Sequence, residues 1–157
     1  MKVLILSCNT GEGHNYAGRA LKECIESHHD TADMLDIMML AGPRVSKLVG
    51  NSYVNIVRHA PRLFQCLYKL GGLVSSSRHH SPVYYANALL VKKLKHYLDT
   101  HHYDIIVTPH LFPAQTLTYM KEKNLLSQKI VAIETDYTCI PFWEETDCDY
   151  YIIPHYE

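Results

Sequence analysis

Three short stretches of the chain carry side chains able to move a proton or hold an anion. The first is Cys8-Asn9-Thr10-Gly11-Glu12-Gly13-His14, which follows the apolar run Lys2–Ser7 and precedes an amphipathic pattern from about Asn15. A strand that turns through glycines into a helix presents bare backbone N–H groups, which attract a phosphate or a developing negative charge. His14 adds an imidazole able to exchange a proton near neutral pH. The second stretch is Pro109-His110-Leu111-Phe112-Pro113, and the third is Thr135-Asp136-Tyr137; each follows an apolar run. A carboxylate at Asp136 can deprotonate a hydroxyl, or orient an imidazole that does so.

Simpler roles compete with each of these. Glycines in a turn also serve backbone geometry alone. This loop lacks the third glycine of a dinucleotide fingerprint and the Gly-Lys-Ser/Thr of a P-loop. An Asp after a strand commonly caps a loop. The histidine pairs at 28–29, 79–80 and 101–102 diverge and have no spaced ligand set beside them, so no metal site is expected. Five cysteines at irregular spacing, with no Cys-x-x-Cys, point to a reduced, cytosolic setting. Cys8 reads as a small buried side chain.

The elements that would position these groups follow from periodicity. Ala17, Ala20, Leu21, Cys24 and Ile25 form a helical stripe over about Asn15–Ser27. Thr31–Met38 reads as a second strand, and strand-helix-strand at this spacing predicts a right-handed parallel unit. Residues 43–75 read as two helical pieces broken at Pro61. Pro82–Leu98 reads as one helix, Tyr103–Thr108 as a strand and Pro113–Lys123 as a helix. Lys129–Thr135 and Cys148–Ile153 complete the strands. The class is therefore α/β with a mainly parallel sheet flanked by helices, which binds ligands beyond the strand carboxyl ends. His14, His110 and Asp136 each follow such an end. At 157 residues and 47% hydrophobic, the chain suits one domain. No window is apolar over the length that crosses a bilayer, and no secretory signal is evident.

The net charge of −1 hides a partition. Between Ile37 and Leu98 no Asp or Glu occurs, while Arg44, Lys47, Arg58, Arg62, Lys69, Arg78, Lys92, Lys93 and Lys95 give the stretch +9. All sixteen acids lie outside it. A basic segment interleaved with Val49, Tyr53, Val57, Phe64, Leu67 and Tyr68 predicts an anionic surface as partner. No nucleic-acid motif accompanies it, so Arg58, Arg62, Lys69 and Arg78 are read as membrane-binding.

Ser7 through His14, Thr108-Pro109 with Phe112-Pro113, Thr135-Asp136-Tyr137, Phe142-Trp143 and Asp149-Tyr150-Tyr151 occur in an order that resembles one family. It is the amino-terminal domain of the monogalactosyldiacylglycerol synthase and processive diacylglycerol glucosyltransferase family. The lipid II-forming N-acetylglucosaminyltransferase is more distantly similar. The resemblance implies the Rossmann-like amino-terminal half of a GT-B glycosyltransferase, with residues 1–157 as its acceptor- and membrane-binding domain. The donor-binding carboxy-terminal domain would be absent, so this fragment alone is expected to be inactive. The implied reaction is inverting transfer of a hexose from a UDP-sugar to a membrane lipid hydroxyl, diacylglycerol above all, with no metal and no cofactor. His14 and Asp136 match the family's catalytic pair, and Gly11 and Gly13 the loop facing the donor diphosphate. His110 and Tyr137 are expected to line the acceptor cleft. The implied location is cytoplasmic, peripheral on the inner face of the membrane. A non-catalytic membrane-binding module and a stand-alone flavodoxin-like nucleotide binder are the alternatives. Glu134 departs from the family pattern, where a small or apolar residue is expected.

Overall fold

Strand β1 (Lys2–Ser7) is apolar on both faces, and the sheet uses it as an inner strand. The computed structural model describes residues 1–75, 79–136, 140 and 142–154, without the side chains of residues 64, 67, 68, 70 and 72–74. Helix α1 (Glu12–Ser27) leads to β2 (Thr31–Asp36) and a 3-10 turn at Ile37–Ala41. Helices α2 (Pro43–His59), α3 (Pro61–Val74), α4 (Pro82–Ala88) and α5 (Val91–Thr100) precede β3 (Ile105–Thr108). Then come α6 (Leu111–Glu122), β4 (Lys129–Ile133), a 3-10 turn at Trp143–Glu145 and β5 (Tyr150–Ile152). The strands lie in the order β2-β1-β3-β4-β5, and every pairing is parallel.

A parallel sheet needs cover on both faces. Val3, Ile5 and Val107 pack against Leu21 and Ile25 of α1. Leu4, Leu6 and Ile106 face the other way, onto Leu94, Leu98, Leu117 and Met120 of α5 and α6. The period-2 alternation thus splits one run between two layers.

Several elements differ from the sequence reading. Helix α1 starts at Glu12, earlier than the amphipathic pattern from about Asn15; Asn15 lies within the helix, and its Oδ1 accepts from the Ser7 hydroxyl at 2.8 Å. Gly13 and His14 therefore sit in the first turn. The helix buries Gly18 and half-buries Leu21 and Ile25, leaving Ala20 and Cys24 exposed. Strand β2 stops at Asp36, whose carboxylate accepts from the Met38 N–H at 2.9 Å and from the Ser46 hydroxyl. The helix expected over 82–98 is two, since the Asn87 carbonyl accepts from Thr116 Oγ1 (3.1 Å) and from the Leu90 N–H (3.1 Å). A side chain inserted in the helical ladder breaks it there. Helix α6 starts at Leu111, capped by His110 Nδ1 accepting from the Phe112 N–H at 3.0 Å. Strands β3, β4 and β5 are shorter than expected, and Tyr150, Tyr151 and Ile152 at the sheet edge are exposed.

Periodicity gave no sign of one anchor, the side chain of Glu145, which is 2% exposed. Its carboxylate accepts from the Ser81 N–H (2.8 Å), the Ser81 hydroxyl (3.0 Å) and Gln115 Nε2 (2.9 Å). It joins the segment after β4 to the starts of α4 and the middle of α6. A buried carboxylate with three donors is satisfied, whereas three buried donors without it are not. Glu145→Ala is expected to lower the unfolding free energy by about 3 kcal/mol in urea denaturation; an unchanged midpoint would contradict this anchoring role.

Candidate functional site

Strand order places the site. The chain leaves β1 toward β2 on one side and returns through β3 on the other, so the carboxyl ends of β1 and β3 flank a switch point. Crevices at such points are where open α/β sheets bind ligands. The loop after β1 brings Thr10 and His14 there, and the loop after β3 brings Pro109 and His110. Thr135, two residues past β4, reaches the same place.

Five groups from three strand ends meet. His14 Nδ1 lies 2.9 Å from the Pro109 carbonyl and 2.8 Å from Thr135 Oγ1. A carbonyl only accepts, so this network assigns the proton to Nδ1 and leaves the lone pair on Nε2. His110 packs its ring edge against His14, centroids 4.4 Å apart. His110 Nδ1 accepts from the Phe112 N–H, so Nε2 carries the proton and donates to Thr10 Oγ1 at 2.5 Å. His110 is 5% exposed. Burial, and secondarily the nearby His14, holds its pKa well below the ordinary histidine value. It is a neutral support behind His14, with both ring nitrogens engaged.

The glycines of the loop have no packing role. A Cβ at Gly11 or Gly13 would meet nothing within 4 Å, so open space lies above the start of α1. No side chain caps that helix end. Its first N–H groups therefore lack an intrahelical partner. Gly50 on α2 differs: a Cβ there would stand 2.2 Å from the Asn9 carbonyl oxygen. The absent side chain lets α2 lie directly on the glycine loop. From that contact a cleft of about 690 Å³ opens between the loop and α2.

Asp136 is half-buried and directly follows Thr135, the residue bound to His14. Tyr53 on α2 has its phenol pKa raised by burial first and by Asp136 second. Glu134, the departure noted in the sequence, is half-buried and its pKa is raised by the same two causes in the same order. Cys8 is fully buried and its thiol is pushed up to about 12, chiefly by burial, which makes it an inert space-filler.

The remaining expected residues divide. Arg58, Arg62 and Lys69 are exposed on α2 and α3. Arg78 and Tyr137 lie outside the described residues. His28 and His101 end helices, each lying against a carbonyl of its own last turn, at 2.8 and 3.0 Å. Among the described residues no helix is long and apolar enough to cross a membrane. Sequence reasoning missed Thr10, the Pro109 carbonyl and Thr135 as hydrogen-bonding partners. Only the Thr-Pro-His order at 108–110 hinted at them.

A parallel α/β sheet with an imidazole and an open helix start at its switch point is a Rossmann-like arrangement. The family model for monogalactosyldiacylglycerol (MGDG) synthase matches residues 14–157, and the chain belongs to that family. It is 26% identical over 155 residues to an uncharacterized glycosyltransferase, YkoN, of Bacillus subtilis (strain 168). That match takes in 97% of this chain and 40% of the relative, so the chain spans under half the relative's length. No solved structure matches it.

The buried neutral His110 has a consequence for acid stability. Its folded pKa is depressed, so its contribution is present above the unfolded value near 6.5 and is lost as pH falls toward the folded value. His110→Asn, which keeps a cap for α6, is expected to flatten the stability profile between pH 7 and 5. The slope removed is at most about 1.4 kcal/mol per pH unit, read as urea midpoints against pH. Parallel wild-type and variant profiles would contradict a neutral His110.

Proposed function

We propose that this domain is the acceptor half of an inverting UDP-sugar-dependent hexosyltransferase acting on a membrane lipid hydroxyl, that of diacylglycerol. The His14 arrangement carries the reading. An imidazole whose Nδ1–H is held by a carbonyl offers Nε2 as a base. In the reaction the lipid hydroxyl oxygen attacks the sugar's anomeric carbon. The bond from that carbon to the diphosphate breaks, and UDP departs with the bonding pair. The hydroxyl proton passes to the base. Asp136, at the next strand end, is the second candidate base, and His14 then orients or shares the proton.

The unfilled space above Gly11 and Gly13 supports a role for the helix start. The amides of residues 12–14 would stabilise charge developing on the leaving diphosphate. A second domain would hold the rest of the nucleotide sugar; the greater length of the Bacillus relative is compatible with one. The basic stretch would bring the domain to an anionic bilayer on the cytoplasmic side. On α2 and α3 the exposed cations stand among exposed Val45, Leu48 and Leu63, a mixture suited to headgroups and the acyl boundary.

In the full-length enzyme, His14→Ala and Asp136→Ala are each expected to lower turnover by about 10²–10⁴-fold with unchanged thermal stability. Sugar transfer to diacylglycerol, followed with a radiolabelled donor, measures this; near-normal turnover in both variants would defeat the assignment. The chain is also expected to cosediment with phosphatidylglycerol vesicles at low salt and to release at high salt. Each cation near such a surface contributes about 1 kcal/mol. Arg58→Gln with Arg62→Gln should therefore weaken binding by about tenfold or more, and salt-independent binding would argue against an electrostatic dock.

A further inference from the structure

Two local choices that each weaken a fold meet at one contact. Phe142, just before the Trp143–Glu145 turn, holds a left-handed backbone with φ 81° and ψ −15°. A bulky aromatic residue is an outlier there, and such strain persists only where the surroundings over-determine it. The Phe142 ring lies on Gly71 of α3, where an added Cβ would overlap it, standing 2.8 Å from Cε1 and 3.0 Å from Cε2. Glycine within a helix is unfavourable relative to alanine. Polar groups go unmet at the same seam. Ser75, whose N–H bonds the Gly71 carbonyl at 2.7 Å, buries its Oγ without a partner. Trp143, next to Phe142, does the same with Nε1. Strain and unsatisfied buried groups that collect at one place point to a function of position rather than of stability.

The seam adjoins the site through the chain on both sides. Downstream, the Phe142 carbonyl accepts from the N–H of Glu145, the buried anchor to α4 and α6, at 3.1 Å. Upstream, the Glu134 N–H donates to the Ile152 carbonyl at 2.9 Å, which fixes the exit of β4. Thr135 then reaches His14, and Asp136 follows. Phe142 is thus the point where the chain that leaves the site at Asp136 is pinned back onto the domain. We propose that Phe142, seated against Gly71, is a positioning residue that holds the Asp136 carboxylate in place. The inference rests on the glycosyl-transfer reading and deepens it with a contact that touches no reacting group. It also makes α3 a support of the site.

Three variants of the full-length enzyme test this. Gly71→Ala improves the helix propensity of α3 but displaces the ring. Phe142→Gly removes the ring and the backbone strain together. Gly71→Ala combined with Phe142→Leu gives the added methyl the space of the missing ring carbons. The two single variants are each expected to lower kcat by about tenfold or more, with KM within about twofold, because a small misplacement of a reacting group is costly. The double variant should recover most of that loss. In the 157-residue chain, Gly71→Ala should shift the amide signals of Thr135 and Asp136 while leaving spectral dispersion intact. Wild-type kcat in both single variants, no recovery in the double variant, amide shifts that stop short of residue 135, or a loss of kcat that tracks lost dispersion would each overturn the proposal. Its failure is separable from that of the parent reading. Turnover that depends on Asp136 but ignores Gly71→Ala refutes the positioning role alone. Transmitted amide shifts with turnover indifferent to Asp136 and His14 refute the transfer reaction alone.

Discussion

The hydrogen bond from His14 Nδ1 to the Pro109 carbonyl is the interaction on which the site depends. It crosses between the loops after β1 and β3, the two strands that flank the switch point. It also settles the tautomer, because the carbonyl has no proton to give. An imidazole fixed in this way is a base at one nitrogen only. Thr135 adds a third strand end to the same atom, so the geometry of His14 is set by the sheet rather than by its own helix.

A second histidine makes that arrangement stable. A charged neighbour 4.4 Å from the His14 ring would oppose any proton arriving on His14. Burial keeps His110 neutral, and its two nitrogens take opposite roles, one accepting from the start of α6 and one donating to Thr10. One side chain thus caps a helix, braces the glycine loop and packs on the His14 ring. The cap also fixes where α6 begins, which sets how Pro109 presents its carbonyl.

The α/β class, the parallel sheet and the three strand-end loops were legible because buried parallel strands and amphipathic helices leave strong periodic patterns. Boundaries were less legible where a side chain made a long-range bond. Asn15 bonds Ser7 from inside the first helix, and Asn87 interrupts a helix through Thr116, a residue far along the chain. Nothing in the sequence around Glu145 signals burial, and only tertiary contact with Ser81 and Gln115 reveals it as an anchor. At the site, His14 was marked by its glycines. The supporting role of His110 depended on burial, and that of Pro109 on a backbone carbonyl, which no residue type advertises. Gly50 is legible only in the structure, as the gap that admits the Asn9 oxygen.

The charge partition and the site meet on α2. One face of that helix, ending at the cation Arg58, lines the cleft beside the glycine loop, while Leu48 is exposed. The most direct measurement is a long-range ¹H–¹⁵N correlation spectrum of the His14 imidazole at neutral pH. The account predicts a protonated Nδ1 and a bare Nε2, shifting to the other form when Thr135 and the Pro109 loop are perturbed together. A proton resident on Nε2 in the unaltered chain would contradict it.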